Sequence, residues 1–237
     1  MHIGARFAVS AWIVCLLTGW ATAEDPAPAT VPSATTPVLQ AIPPALQALA
    51  DAQAGTAVLS GTFRWLTGSA EGGEVREKRG DFTVARGSAG VPARYNLKVA
   101  DPDGSDLHRW CFDGRRRAQV ERTVVGEDPT ISDGRAGAAE LDLDRIVACV
   151  LLDLPTLQQD FSFTVEPAAD GATRIVFTPS SAGLREELSA IRVTLRDGQP
   201  QEVQVDEARG VRIRLVILTL DRPATVDPGV FQAPAAH

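Results

Sequence analysis

From residue 57 onward, apolar and β-branched positions recur every second residue. The pattern runs over 57–66, 81–85, 94–99, 108–112, 118–125, 160–165, 173–178, 190–196, 201–205 and 211–220, and it is the signature of strands with one buried face. Ile191, Val193 and Leu195 share one side, while Arg192, Thr194 and Arg196 share the other. Phe161, Phe163 and Val165 repeat the pattern, as do Ile175 with Phe177 and Val203 with Val205. Asp-Gly pairs at Asp113-Gly114, Asp170-Gly171 and Asp197-Gly198 join several runs, and this dipeptide accepts the positive φ angles of tight hairpins. Links so short admit only antiparallel neighbours. The chain is thus predicted to form an antiparallel meander of about ten strands, apolar on one face and polar on the other.

The period lengthens to a helical one in two places. Pro43-Pro44 suits a helix start, Leu46, Leu49, Ala50 and Gln53 follow at helical spacing, and Gly55 suits the position after the end. Over 139–154, Leu143, Ile146, Val147, Val150, Leu151 and Leu154 form an apolar stripe, which Pro155 is expected to end. Two modest helices over a large one-sided sheet predict a mainly β fold, an unclosed half-barrel with a helical lid. Its interior is either a plain core or an apolar pocket. Aromatic residues make up only 5% of the chain, which leans toward the pocket.

The first residues change the setting. Arg6, an apolar stretch from Phe7 to Trp20 and the small-x-small run Ala21-Thr22-Ala23 read as an export signal over 1–23. The stretch is shorter than the roughly 20 residues of a bilayer-spanning helix. Cys15 follows Trp12-Ile13-Val14 instead of small residues, against a lipid-modified cysteine. A Pro/Ala/Thr-rich tether follows over 24–37, then one folded domain over 38–237. The whole chain holds 23 Lys+Arg and 30 Asp+Glu. Removal of 1–23 takes only Arg6 and leaves 22 against 30, a net charge of −8, which disfavours nucleic acid as a partner. The basic run Arg115-Arg116-Arg117 reads as a solvated hairpin edge. Cys111 and Cys149 remain after cleavage; they either pair, closing a loop worth roughly 4 kcal/mol in the chain-entropy model, or stay two buried thiols.

Catalytic chemistry is thinly represented. His2 falls in the signal, His237 is the last residue, and His108 near Asp106 has no nucleophile motif beside it. Ser88 in Gly87-Ser88-Ala89-Gly90 lacks the spacing of a nucleophile elbow. The acidic run Asp101-Pro102-Asp103-Gly104-Ser105-Asp106 misplaces the glycine of a calcium loop. The expectation is a binding protein, not an enzyme, with no cofactor and no metal. The polar stretches 71–79 and 127–137 are read as connections or partner-contact loops.

With these parts in order the chain resembles the LolA family of periplasmic carriers of outer-membrane lipoproteins. The resemblance rests on the export signal, the opening helix, Gly61-Thr62-Phe63, and Gly80-Asp81-Phe82-Thr83-Val84-Ala85-Arg86. It continues through Trp110-Cys111-Phe112-Asp113-Gly114, the lid segment, 161–178 and the closing Asp227-Pro228-Gly229-Val230-Phe231. It covers about 190 residues and implies a LolA-like half-barrel whose cavity receives acyl chains of lipoproteins or lipids. The implied partners are an inner-membrane export complex and an outer-membrane acceptor, with the carrier a monomer in the periplasm. Arg86 matches the family's lid-latch arginine, although Gly87 stands where the family has proline. The lid residues Leu143, Ile146, Val147, Val150, Leu151 and Leu154 are then expected to face the empty cavity. Phe82, Val84, Tyr95, Leu97, Trp110, Phe112, Phe161, Phe163, Ile175 and Phe177 are expected to line it. The alternative is a similarly shaped sensor module that regulates a membrane partner.

Overall fold

The structure is a computed structural model that describes residues 41–88, 91–124, 130–133 and 143–232. The export signal, the tether and residues 139–142 of the lid segment lie outside the described residues. Among those described, no helix is long and apolar enough to cross a membrane.

The strands are β1 (Val58–Ser69), β2 (Arg76–Ala85), β3 (Arg94–Ala100), β4 (Leu107–Phe112), β5 (Arg117–Arg122), β6 (Thr130–Asp133), β7 (Phe161–Pro167), β8 (Thr173–Pro179), β9 (Leu188–Arg196), β10 (Gln199–Glu207) and β11 (Val211–Asp221). The helices are α1 (Pro44–Ala54), α2 (Leu143–Leu151), α3 (Leu154–Leu157) and α4 (Ala182–Glu187). The strands form one antiparallel sheet in the order β6-β5-β4-β3-β2-β1-β11-β10-β9-β8-β7. Two meanders therefore meet where β1 pairs with β11, and β6 and β7 are left as edges of an unclosed half-barrel. Asp170 and Gly171, like Asp197 and Gly198, all have positive φ, as the hairpin dipeptides require.

A reciprocal Gly–Phe exchange interlocks β1 and β2 at the middle of the sheet. Gly61 sits opposite Phe82, and Phe63 opposite Gly80. Each ring thus lies over a position with no side chain, the two rings 6.2 Å apart and tilted by 52°. A Cβ on Gly61 would run into the Thr219 carbonyl, and one on Gly80 into the Lys98 carbonyl and the Phe63 ring. The inner face carries the main core, including Phe63, Phe161, Phe177, Ile175, Val193 and Leu195.

On the outer face a short C-terminal turn, Pro228–Phe231, closes a second cluster. Asp227 accepts from the Gly229 amide at 2.9 Å, and Phe231 packs with Val58 and Ala85 beneath the Arg94 guanidinium.

Three expectations are corrected, and one element was missed. β6 falls within the 127–137 stretch read as a connection or partner-contact loop, because four residues with one Ile are too short for a periodic signal. β2 begins at Arg76, so the end of the polar 71–79 stretch is strand. Pro155 does not end the lid helix. The break comes at Leu152, whose φ is 49°, and Pro155 sits in the first turn of α3, where a missing N–H has no partner to lose. The short helix α4 lay unread between two strands.

Candidate functional site

Helix α2 lies inside the curve of the sheet, with seven of its nine residues, Leu143, Ile146, Val147, Ala148, Cys149, Val150 and Leu151, buried. Leu143, Ile146, Val147 and Val150 face a floor of Phe63, Phe82, Val84, Tyr95 and Leu97 and a wall of Val203, Leu215 and Ile217. The space left between them is an apolar cavity of about 50 Å³, room for a few waters and far too little for an acyl chain. At this part of the floor the half-barrel is filled. Aliphatic side chains of the lid supply the volume that aromatics would otherwise fill.

Polar ties hold the lid at both ends. Arg86, just past the end of β2, donates from Nη2 to the Leu151 carbonyl at 2.5 Å and to the Gln53 carbonyl at 3.4 Å, and from Nε to the Thr56 carbonyl at 3.4 Å. Gln53 and Leu151 lie at the C-terminal ends of α1 and α2, where the helix dipole favours a cation, and Thr56 follows just past α1. Burial pushes the Arg86 guanidinium below its ordinary value, and the nearby Asp153 carboxylate works against that shift. At the other end Arg117 pairs with Asp144 in the first turn of α2 while lying 5.1 Å over the Phe112 ring. Arg145 pairs with Asp160 at 3.0 Å. Helix α1 is seated by Leu46, fully buried, and by the Gln53 amide, which donates to the Gly198 carbonyl at 2.9 Å.

Outside the latch a groove of about 880 Å³ runs between α1, the β2–β3 connection and the α2–α3 break. Ile42, Ala50, Tyr95, Phe112, Val147 and Leu154 give it an apolar lining, and Asp51, Arg86, Arg117, Asp144 and Asp153 give it charge.

The residues singled out in the sequence distribute unevenly. Phe82, Val84, Tyr95 and Leu97 line the residual cavity, and so do Leu143, Ile146, Val147 and Val150. Leu151 and Leu154 are buried at 1% exposure but do not line it. Phe161, Phe163, Ile175 and Phe177 are packed core, with edge-to-face ring contacts at 5.7–6.2 Å. Trp110 is half-buried and stacks on Trp65 and His108. Phe63, Val203, Leu215, Ile217 and the ties from Arg117 and Arg145 were not singled out. The face-sharing of Val203 with Val205 and the Gly61-Thr62-Phe63 run were the available signals.

Cys111 and Cys149 are not joined to each other. Cys111 lies on the outer face, its Sγ 3.5 Å from Asn96 Oδ1, where burial pushes the thiol up and Arg109 partly offsets it. Cys149 belongs to the inner core. The sheet separates them, so the pairing considered from the sequence is ruled out. Among the described residues no group of three or more His, Cys, Asp or Glu side chains is placed to hold a metal ion.

The described residues thus form an unclosed antiparallel half-barrel with a buried helix packed over its apolar floor. No family model matches the chain, and no curated protein matches it in sequence. Among solved structures it is similar to a DUF1329 family protein from Desulfovibrio piger, at 9% identity over 79% of this chain and 95% of that one, with a TM-score of 0.45. It is similar also to an outer membrane lipoprotein-sorting protein domain from Vibrio parahaemolyticus (10% identity, 79% and 94% covered, TM-score 0.41). A LolA superfamily protein from Nitrosomonas europaea is a third (9% identity, 79% and 97% covered, TM-score 0.41).

Proposed function

We propose that this protein is a periplasmic carrier that binds the acyl chains of lipoproteins beneath α2 and ferries them from the inner to the outer membrane. One observation supports the reading above the others. The helix filling the half-barrel is itself an apolar ligand, held by a few polar ties at its ends. Leu143, Ile146, Val147 and Val150 occupy the floor much as an acyl chain would. Arg86 and Arg117 fix the helix through contacts that can be exchanged for water.

Such an arrangement lets cargo and lid compete for one surface. Burial of acyl chain contributes about 0.8 kcal/mol per methylene, and lid displacement opposes it, which keeps the net affinity below that of burial alone. Reversibility is what transfer from an export complex to an acceptor requires, and it needs neither turnover of a substrate nor a nucleotide. The rival reading, a sensor module, predicts a tight protein partner and an empty cavity.

The test is competition between the lid and an apolar probe. An environment-sensitive apolar dye is titrated into the protein and then displaced with a triacylated lipopeptide. Saturable dye uptake, reversed by the lipopeptide and not by the same peptide without acyl chains, supports the carrier. Failure of both dye and lipopeptide to bind overturns it in favour of the sensor.

A further inference from the structure

The inner face of the sheet changes character along its length. Under α2 it is aliphatic and aromatic, from Val84 to Phe82. Beyond Gly80 the same face of β2 presents Lys78 and Arg76, and β1 and β4 present Trp65, Trp110 and His108. Trp65 and Trp110 stack at 6.2 Å and 17°, and His108 continues the stack at 5.7 Å and 13°. All three rings are only half-buried, in a chain poor in aromatics.

A charged group completes this end. Lys78 Nζ and Arg76 Nη2 both reach Asp106 Oδ2, at 2.6 and 2.7 Å, and Arg76 also reaches Asp101 at 3.1 Å. His108 lies between Asp106, 3.1 Å from its Nε2, and Glu121, 3.3 Å from its Nδ1. Arg76 is 61% and Glu121 49% exposed, so a cation and an anion both face solvent beside the ring stack. From Gly80 to Arg76 is four residues of strand, about 13 Å. Apolar floor, amphipathic indole rings and mixed charge thus follow one another within the reach of one amphiphilic molecule. Tryptophan favours such a boundary because one side of the ring is apolar while its N–H seeks a polar partner; here Trp65 Nε1 donates to Thr67 Oγ1 at 2.8 Å.

We propose that Trp65, Trp110 and His108, with Arg76 and Glu121, form a head-group subsite that receives the polar end of an acylated ligand. The chain of that ligand lies along the floor toward α2. The proposal rests on the carrier reading and adds an orientation to it: the polar end points away from the Arg86 latch. The head-group chemistry is one that presents both anionic and cationic or hydrogen-bonding groups next to the acyl chain, found in zwitterionic phospholipids and in lipopeptides alike.

The chain's four tryptophans are Trp12, Trp20, Trp65 and Trp110. In a full chain carrying Trp12→Phe and Trp20→Phe, fluorescence reports on the stack alone. The probes are a single-chain acyl phosphocholine and a palmitoylated Cys-Ser-Lys peptide, each made with a nitroxide quencher at the polar end or at the chain terminus. Binding is checked independently by native mass spectrometry, and the probe that binds distinguishes lipid from lipopeptide. Quenching several-fold stronger from the polar end is the expected result. Equal or stronger quenching from the chain terminus, with binding intact, overturns the orientation while leaving the carrier reading standing. Binding of neither probe removes the carrier reading and the subsite together. Arg76→Gln, at an exposed side chain, is expected to weaken binding of whichever probe binds several-fold, and unchanged affinity also counts against the subsite.

Discussion

At the scale of single residues, Arg86 has the most to do. It donates to carbonyls of two helices, so its removal strands those acceptors and, on the carrier reading, is expected to free the lid. Arg86→Met is expected to cost about 1–3 kcal/mol, the usual range for hydrogen bonds from a charged group. It should also speed apolar dye uptake, measured by stopped-flow fluorescence; an unchanged uptake rate at reduced stability would leave Arg86 a structural residue only. Asp106 offers a pH handle. Its hydrogen bond with Lys78, and then His108, lowers its carboxyl from the ordinary 3.8 to about 2. A depressed carboxyl stabilises the fold fully above the ordinary value and loses that contribution as pH falls through the folded value. Asp106→Asn should therefore flatten the loss of stability between pH 4 and pH 2, read from urea melts across that window. Residue roles were the least legible part of the sequence. Arg86 was readable through the family resemblance, whereas Arg117 was hidden in a basic run. Alternation along β5 turns the third arginine inward to Asp144, and nothing in the composition of the run marks that turn.

At the scale of elements, the two central strands and the lid helix set the architecture. The Gly61–Phe82 and Phe63–Gly80 pairs interlock β1 and β2, and the empty Cβ positions leave room for the rings. Gly80→Ala should destabilise by about 1–3 kcal/mol through overpacking, visible as a lower denaturation midpoint. A neutral substitution would mean that the interlock does not depend on that space. The lid is held by packing as well as by its ties. Val147→Asp, on the inward stripe, should unseat α2 while the sheet survives. Hydrogen exchange would then show loss of protection over Leu143–Leu151 with protection retained in β9 and β10; collapse of both would mean that lid and sheet are one cooperative unit. Strand and helix positions were legible because period two and period four are physical requirements of one-sided burial. Helix ends were less so. The break at Leu152 depends on a positive φ at a leucine, a choice imposed by tertiary packing and contrary to local preference.

At the scale of the whole molecule, short hairpin links and one apolar face sufficed to read an unclosed antiparallel half-barrel with covering helices. What they could not reveal was the state of its interior, because a filled and an empty half-barrel have the same alternation. The answer depends on where one amphipathic helix docks. In this structure it docks inside, so on the carrier reading ligand entry is a displacement. The account therefore stands or falls on whether an acyl chain takes the helix's place. The direct measurement is native mass spectrometry of the protein mixed with a triacylated lipopeptide, alongside hydrogen exchange across α2. The predicted result is a one-to-one adduct with the acylated peptide alone, accompanied by lost protection over Leu143–Leu151. An adduct that forms equally with the unacylated peptide, or one that leaves α2 fully protected, would contradict the claim that cargo and lid share one surface.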